Sequence, residues 1–224
     1  MKIIYALLVA IWPALLTAQS SLRIEASYEF SRLTSQFNYK GYSPSSSIYG
    51  SLAYEIKILN WLAVSPGIAI LERGQNREAQ TREKVRLTYA SLQSPFLIYP
   101  FPEERLQFFF LLGPYLNIKT KARLYNVGFS FSEKPMDFSS DFNERTKPTD
   151  HGMLLGTGLS YRFKKLSVFA SAKYHMGFTP ISDINPFIAA PNGDFVDVVF
   201  AHNRKIRAYG VGLGVSYALG SRAG

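Results

Sequence analysis

The chain has 224 residues, a formal net charge of +9 and no cysteine, which allows one sizeable domain and excludes disulfides and thiolate metal sites. Aromatic residues make up 15% and charged residues only 18% of the sequence, a balance that favours strands. The basic residues are scattered, which indicates contact with anionic lipid headgroups or lipopolysaccharide phosphates and argues against nucleic acid as a partner.

The N-terminus has the pattern of an export signal. Residues 3–16 are almost wholly apolar, they follow a basic start, and Ala18 then offers a small residue for cleavage. A membrane anchor is the alternative, but the apolar run is short and Pro13 interrupts it. We therefore predict a signal peptide at 1–18 and one domain at 19–224. The rest of the sequence contains no run of 18 apolar residues, so it predicts no transmembrane helix.

The remaining sequence alternates between apolar and small or polar residues with a period of two, which predicts strands. In the first strand, Leu22 and Ile24 share one face, and Arg23 and Glu25 share the other. Each segment has about ten residues or more, the length that a tilted strand needs to cross a bilayer. The eight predicted strands are 22–33, 48–58, 61–74, 85–99, 105–119, 153–163, 166–176 and 209–217.

Short and long connections alternate between these strands. The short ones are 59–60, 100–104 and 164–165, and the long polar ones are 34–47, 75–84, 120–149 and 180–203. Short turns at one end and long loops at the other are typical of outer-membrane barrels. We predict an all-β fold, a closed antiparallel up-and-down transmembrane β-barrel of about eight strands, with periplasmic termini and loops facing outward.

A soluble β-sandwich is the alternative fold, and two features argue against it. Glycine recurs on the inward face at Gly210, Gly212 and Gly214, where a narrow lumen needs small residues. Aromatic residues also crowd the short-turn ends, as an interfacial girdle requires. These are Tyr54, Trp61, Tyr99, Phe101, Phe108, Tyr161, Phe163 and Tyr217.

Two features leave eight and ten strands open as alternatives. Pro66, Pro95 and Pro114 fall inside predicted strands, so each is expected at a bulge or a strand end. The strand-like stretches 123–131 and 195–200 lie in the long loops. They predict either hairpins above the membrane or two further strands of a ten-stranded barrel.

The inward faces carry a set of charged residues that we predict to fill the lumen: Arg23, Glu25, Glu29, Glu55, Lys57, Arg162, Lys173 and His175. Ionised groups inside a narrow barrel are costly unless they pair, so the favoured interpretation is a salt-bridged plug. The alternative is a polar track for a small solute or ions.

Three stretches resemble the PorT-like outer-membrane β-barrel family common in Bacteroidota: 92–99 (LQSPFLIY), 110–116 (FLLGPYL) and 156–163 (GTGLSYRF). The resemblance implies eight strands, periplasmic termini and no catalytic residues, and it suggests a link to secretion. Barrels of this kind usually end on an aromatic residue that the insertion machinery reads. Here Tyr217 is followed by Ala218 and Leu219, which departs from that pattern.

No catalytic, cofactor or metal motif is present. His175 has Ser171 on its face, His151 follows Asp150 and His202 lies near Asp197, but none of these pairs completes a catalytic set. We expect a non-enzymatic protein without cofactors that displays its loops for interaction or structural roles.

Four alternatives remain open: a narrow porin-like channel, a secretion-associated barrel, an outer-membrane lipid-modifying enzyme using His175, and a secreted ligand-binding barrel with an apolar interior. The expected partners are outer-membrane lipid, lipopolysaccharide, the barrel-insertion machinery and secretion components.

Overall fold

The computed structural model describes residues 20–34, 42–77, 82–127, 137–141, 146–181, 187–189, 195–197 and 205–219. The predicted signal peptide lies outside these residues. Within the described part of the chain, no helix is long and apolar enough to cross a membrane.

Thirteen strands occupy the described residues. They are β1 (Ser20–Thr34), β2 (Tyr42–Leu59), β3 (Leu62–Val64), β4 (Gly67–Arg77), β5 (Arg82–Gln93), β6 (Phe96–Ile98), β7 (Leu106–Val127), β8 (Asp137–Asp141), β9 (Thr149–Phe163), β10 (Leu166–Pro180), β11 (Phe187–Ala189), β12 (Phe195–Asp197) and β13 (Lys205–Ala218).

The long strands close into a ring of antiparallel neighbours. β1 pairs with both β2 and β13, and the ring continues from β13 through β10, β9, β7, β5 and β4 to β2. The short β3 and β6 pair with each other and continue the lines of β4 and β5, so eight strand lines form the wall. The predicted fold class, an eight-stranded up-and-down barrel, is confirmed.

Pro66 and Pro95 stand at strand ends, as predicted, whereas Pro114 does not. Pro66 and Pro95 interrupt two strand lines, but the register is the same before and after each break. Pro114 stands inside the continuous β7. Each proline carbonyl accepts a backbone hydrogen bond from the next strand line, from Tyr54, Ser65 and Ser94 respectively. The missing proline N–H therefore removes single ladder bonds without producing a bulge.

The ends of the barrel differ in their connections. The short turns join β2 to β3, β6 to β7 and β9 to β10, and we call this the short-turn end. At the opposite loop end, several strands run further than predicted, so most of the predicted loop 75–84 is strand in β4 and β5. β8 pairs with residues 123–127 of β7 as a hairpin extension, and β11 pairs with β12 in a separate small sheet.

The outward face is apolar over a band of membrane height. Outward residues of β1 run from Leu22 to Phe30, about 21 Å along the axis for a strand tilted by about 40°. Toward the loop end the band stops at a partly exposed ion pair, where Arg86 Nη1 lies 2.9 Å from Glu72 Oε1.

Aromatic rings flank this band. Tyr54, Trp61 and Tyr217 are exposed at the short-turn end, as predicted for a girdle. Tyr99 is not part of it, because its ring is buried in the lumen. At the loop end, the ring centroid of Phe30 lies 5.0 Å from that of Tyr28 and 5.4 Å from that of Tyr209. These three rings form a second aromatic patch.

The inward face is less polar than predicted. From the middle of the barrel to the loop end, buried apolar side chains pack in the lumen: Leu33, Tyr49, Ala69, Leu71, Val85, Leu87, Tyr89, Ala122, Ile181 and Ile206. A second apolar group lies nearer the short-turn end and includes Leu97, Phe109, Leu154 and Phe169. The expectation that charged residues fill the lumen is therefore incomplete, because the polar groups lie between and beside two apolar clusters.

Candidate functional site: the charged lumen

Glycines on β13 make room for the charged side chains of β1. Gly210, Gly212 and Gly214 pair with Glu29, Ser27 and Glu25. A Cβ at Gly214 would lie 2.3 Å from the Phe169 ring, and one at Gly212 would lie 2.6 Å from a Glu25 carboxylate oxygen. These distances are too short for any side chain, so the strand tolerates only glycine here without rearrangement.

Arg23 is the centre of a lower network, nearer the short-turn end. Its Nη1 donates to Glu55 Oε2 at 2.8 Å and to the Tyr99 hydroxyl at 3.2 Å, and that hydroxyl donates to Glu55 Oε1 at 3.1 Å. The guanidinium carbon also lies 4.1 Å from the Phe169 ring centroid and 5.3 Å from that of Phe109. The charge is thus paired and covered by aromatic faces, as a buried arginine requires.

Glu25 completes the lower network. Lys173 Nζ donates to its Oε2 at 2.6 Å and Ser171 Oγ donates to its Oε1 at 2.7 Å. The Lys173 ammonium lies 4.9 Å from the Tyr49 ring centroid. All these side chains are almost fully buried, so the pair belongs to the interior and not to the surface.

Glu29 begins an upper network, nearer the loop end. Its Oε1 lies 3.0 Å from His175 Nε2 and its Oε2 lies 3.7 Å from Arg73 Nη2, and all three side chains are fully buried. The Arg73 guanidinium carbon is 5.5 Å from the Tyr115 ring centroid. Titratable groups from β1, β4 and β10 therefore meet inside the barrel.

Asp150 is the second carboxylate of the upper network. Its Oδ2 accepts from Asn117 Nδ2 at 2.9 Å and from the Tyr115 hydroxyl at 3.4 Å. Among the described residues, several buried atoms nearby have no hydrogen-bond partner, including Asp150 Oδ1, three nitrogens of Arg73 and His175 Nδ1. Buried polar groups without protein partners are sites for ordered water.

The eight predicted lumen residues therefore fall into two groups. Six meet as pairs: Arg23 with Glu55, Glu25 with Lys173, and Glu29 with His175. The other two, Lys57 and Arg162, line a cavity of about 340 Å³ at the short-turn end. We call it the turn-end cavity.

Sequence reasoning missed five members of the networks. Arg73 lies in a predicted strand, and its position two residues from the inward Leu71 was the available signal. Asp150 lies in β9, which begins at Thr149, whereas the predicted strand began at residue 153. Tyr99 was assigned to the outer girdle. Nothing in the sequence marked Tyr115 and Asn117 as partners of Asp150.

The histidines make no catalytic pair in the described residues. Ser171 donates to Glu25 and not to His175. His151 is exposed, with its Nδ1 2.7 Å from Thr179 Oγ1, whereas Asp150 points inward. His202 lies outside the described residues. Among the described side chains, no group of three or more metal-ligand residues comes together.

Little free space remains between the two networks. A cavity of about 40 Å³ lies beside Glu25 and Lys173, room for roughly one water molecule. Above the upper network, Leu33 and Ile206 of the first apolar cluster pair near the loop end of the lumen. The described barrel is thus packed from the loop end down to the turn-end cavity.

Solved barrels of similar architecture align along most of the chain at low identity. The attachment invasion locus protein Ail of Yersinia pestis is 16% identical over 89% of this chain and 99% of its own, with a TM-score of 0.44. Neisserial surface protein A is 12% identical over 88% and 96%, with a TM-score of 0.46. A major outer membrane protein of Thermus thermophilus is 13% identical over 89% and 98%, with a TM-score of 0.48.

Family membership rests on the sequence match. No curated protein matches the chain. The family model of the outer membrane protein beta-barrel domain matches residues 17–183, which include seven of the eight strand lines of the wall. The chain therefore belongs to the outer membrane protein β-barrel domain family.

Proposed function

We propose that this protein is a non-enzymatic outer-membrane barrel that serves as a rigid scaffold and displays its long loops for interaction. The observation that carries the proposal is the packed lumen, in which Arg23, Glu29 and Arg73 are buried among partners. An eight-stranded barrel has an interior just wide enough for its own side chains. Loops on a rigid scaffold are where recognition usually takes place.

The orientation is part of the same proposal. The termini and short turns face the periplasm, the long loops face outward, and residues 1–18 are removed on export. The apolar outer band contacts membrane lipid, and basic residues near the loop end contact lipopolysaccharide phosphates. The resemblance to PorT-like proteins of Bacteroidota adds the insertion machinery and secretion components as further partners. No nucleic acid is expected to bind.

Site-specific labelling tests the orientation, because the chain has no cysteine and one introduced thiol is unique. Lys84 is exposed at the loop end and Lys164 is exposed in the turn between β9 and β10. In intact cells, a membrane-impermeant maleimide should label Lys84→Cys and leave Lys164→Cys unlabelled. After the outer membrane is permeabilised, both variants should react to the same extent.

The two variants serve as controls for each other, since each replaces an exposed lysine. Labelling of Lys164→Cys in intact cells, with Lys84→Cys protected, would reverse the proposed orientation. Equal labelling of both before permeabilisation would argue against a protein that crosses the membrane in one direction.

A narrow channel is the second candidate, and one observation favours it. Arg73, His175 and Asp150 each have buried polar atoms without a hydrogen-bond partner among the described residues. Water at these atoms would form a polar path through the upper network, as the alternative of a polar track requires. The packed apolar cluster at the loop end argues against passage of any larger solute.

A lipid-modifying enzyme receives less support. A membrane lipid would have to reach His175, which is fully buried in the lumen beside Glu29. Ser171, the nearest nucleophile considered from sequence, is engaged by Glu25. A secreted barrel with a polar exterior is also disfavoured, because the outward face of β1 is apolar between Leu22 and Phe30.

A further inference from the structure

The seam between β1 and β13 carries two arginines directly opposite each other at the loop end. Arg32 pairs with Arg207 in the register, and both lie on the outward face, Arg32 exposed and Arg207 half-buried. Cross-strand neighbours have Cβ atoms about 5 Å apart, a spacing at which like charges repel. Lys205, two residues from Arg207, adds a third cation to this face. We call these three residues the seam cluster.

The chain around the seam cluster contains no carboxylate. Residues 30–54 and 198–224, which include both arginines, have no Asp or Glu. On β10 the residue that pairs with Arg207 is Met176. Arg86, elsewhere at the loop end, differs in this respect, because Glu72 lies 2.9 Å from it. The neighbouring chain segments therefore do not offset the repulsion between the two arginines, and an anion from outside would stabilise the cluster.

The second aromatic patch lies directly on the membrane side of the seam cluster. Phe30 and Tyr209 pair across the same two strands, two residues nearer the middle of the barrel, and their rings stack with centroids 5.4 Å apart. Two residues of a tilted strand advance about 5 Å along the axis, so the cations lie just beyond the apolar band, at the height of lipid headgroups. A lipid whose acyl chain packs against these rings brings its headgroup to the arginines.

From this arrangement we infer that the seam cluster binds the phosphate group of an outer-leaflet glycolipid. Arg207 Nη1 donates to the Gly177 carbonyl oxygen at 3.0 Å, which holds the guanidinium on the wall and engages one of its five N–H donors. Arg32 adds a second guanidinium fork, a geometry that suits phosphate oxygens. A phosphate monoester carries a charge of about −1.5 to −2 at pH 7, enough to balance most of the charge on two arginines.

The inference rests on the proposed function, because the arginines reach the outer leaflet only when the loop end faces outward. Within that proposal it assigns the lipid phosphate to one seam of the wall. The paired Arg86 on β5 is not part of this site, although it also lies near the loop end. That difference gives the experiment its matched control.

Isothermal titration with diphosphoryl lipid A tests the inference on protein folded in zwitterionic micelles, with EDTA present so that no divalent cation bridges the charges. We expect saturable binding, weakened at least tenfold in the double variant Arg32→Gln with Arg207→Gln. The double variant Lys84→Gln with Arg86→Gln makes the same change in charge on β5 and should bind within twofold of the unchanged protein. Absence of saturable binding to the unchanged protein, or equal weakening by both double variants, would overturn the inference.

A single variant covers the case in which the first double variant fails to fold. Arg32→Gln alters one exposed side chain on the outer wall and should weaken binding several-fold, so an unchanged affinity would count against the site. Dephosphorylated lipid A, which has the same acyl chains, should bind at least tenfold more weakly than the diphosphoryl form. Equal binding of the two lipids would show that the aromatic rings hold the lipid without the arginines, and it would overturn the inference.

The titration in micelles does not depend on the orientation of the barrel, so its failure can be told apart from failure of the proposed function. Absence of lipid A binding, together with labelling of Lys84→Cys alone in intact cells, would remove the phosphate site and leave the proposed scaffold. The expected binding, together with labelling of Lys164→Cys alone, would support the site and contradict the proposed orientation.

Discussion

Replacement of Arg73 by methionine is expected to destabilise the folded barrel by about 3–5 kcal/mol. Arg73 is fully buried and lies 3.7 Å from Glu29, which is also fully buried. Methionine keeps much of the volume but removes the positive charge. Of the two ion-pair partners of Glu29 among the described residues, His175 then remains. A buried carboxylate that loses its cation is strongly destabilising.

Equilibrium unfolding in urea, with the barrel in lipid vesicles, measures this loss through the fluorescence of Trp61. Arg86→Met is the matched control, because Arg86 pairs with Glu72 at 2.9 Å but the pair is partly exposed. Such pairs contribute about 0–1 kcal/mol, so the control should unfold almost like the unchanged protein. Similar losses for the two variants would show that Arg73 and Glu29 are not a buried pair.

Replacement of Phe169 by alanine is expected to cost about 3–5 kcal/mol, since it leaves a cavity in the lumen. The Phe169 ring is buried, fits over Gly214, and lies 4.1 Å from the Arg23 guanidinium carbon. The variant therefore loses apolar packing and also exposes Arg23 to water on one face. The same urea titration measures the effect.

Phe178→Ala is the control for this prediction, because Phe178 lies on the same strand and its side chain is exposed on the outward face. Lipid can fill the space that it leaves, so the loss should be less than half of that for Phe169→Ala. A larger effect at Phe178 would mean that the outward face, and not the lumen, holds the main packing of β10.

The strand lines could be predicted because each strand carries its own signal. Arg23 follows Leu22 in the first strand, and a period of two assigns them to opposite faces without knowledge of any neighbour. The signal weakens where both faces are apolar. The inward Leu111 lies between the outward Phe110 and Leu112, so the apolar part of the lumen was not recognised.

The partners inside the lumen could not be predicted in the same way. Arg73 on β4 and Glu29 on β1 are separated by β2 in the strand order, and they meet over β2 inside the lumen. Their contact depends on the curvature of the wall and on glycines such as Gly210 that admit large side chains. Sequence periodicity gives the face of a residue but not the residue opposite it.

The packed lumen is the central claim, and recording the conductance of the purified protein in a planar lipid bilayer tests it most directly. With the upper and lower networks in place, the inserted barrel should show no stable, large conductance steps at moderate salt. Narrow water paths around Arg73 would give at most small, brief currents. Stable steps of the size seen for open water-filled pores would contradict a lumen filled by its own side chains.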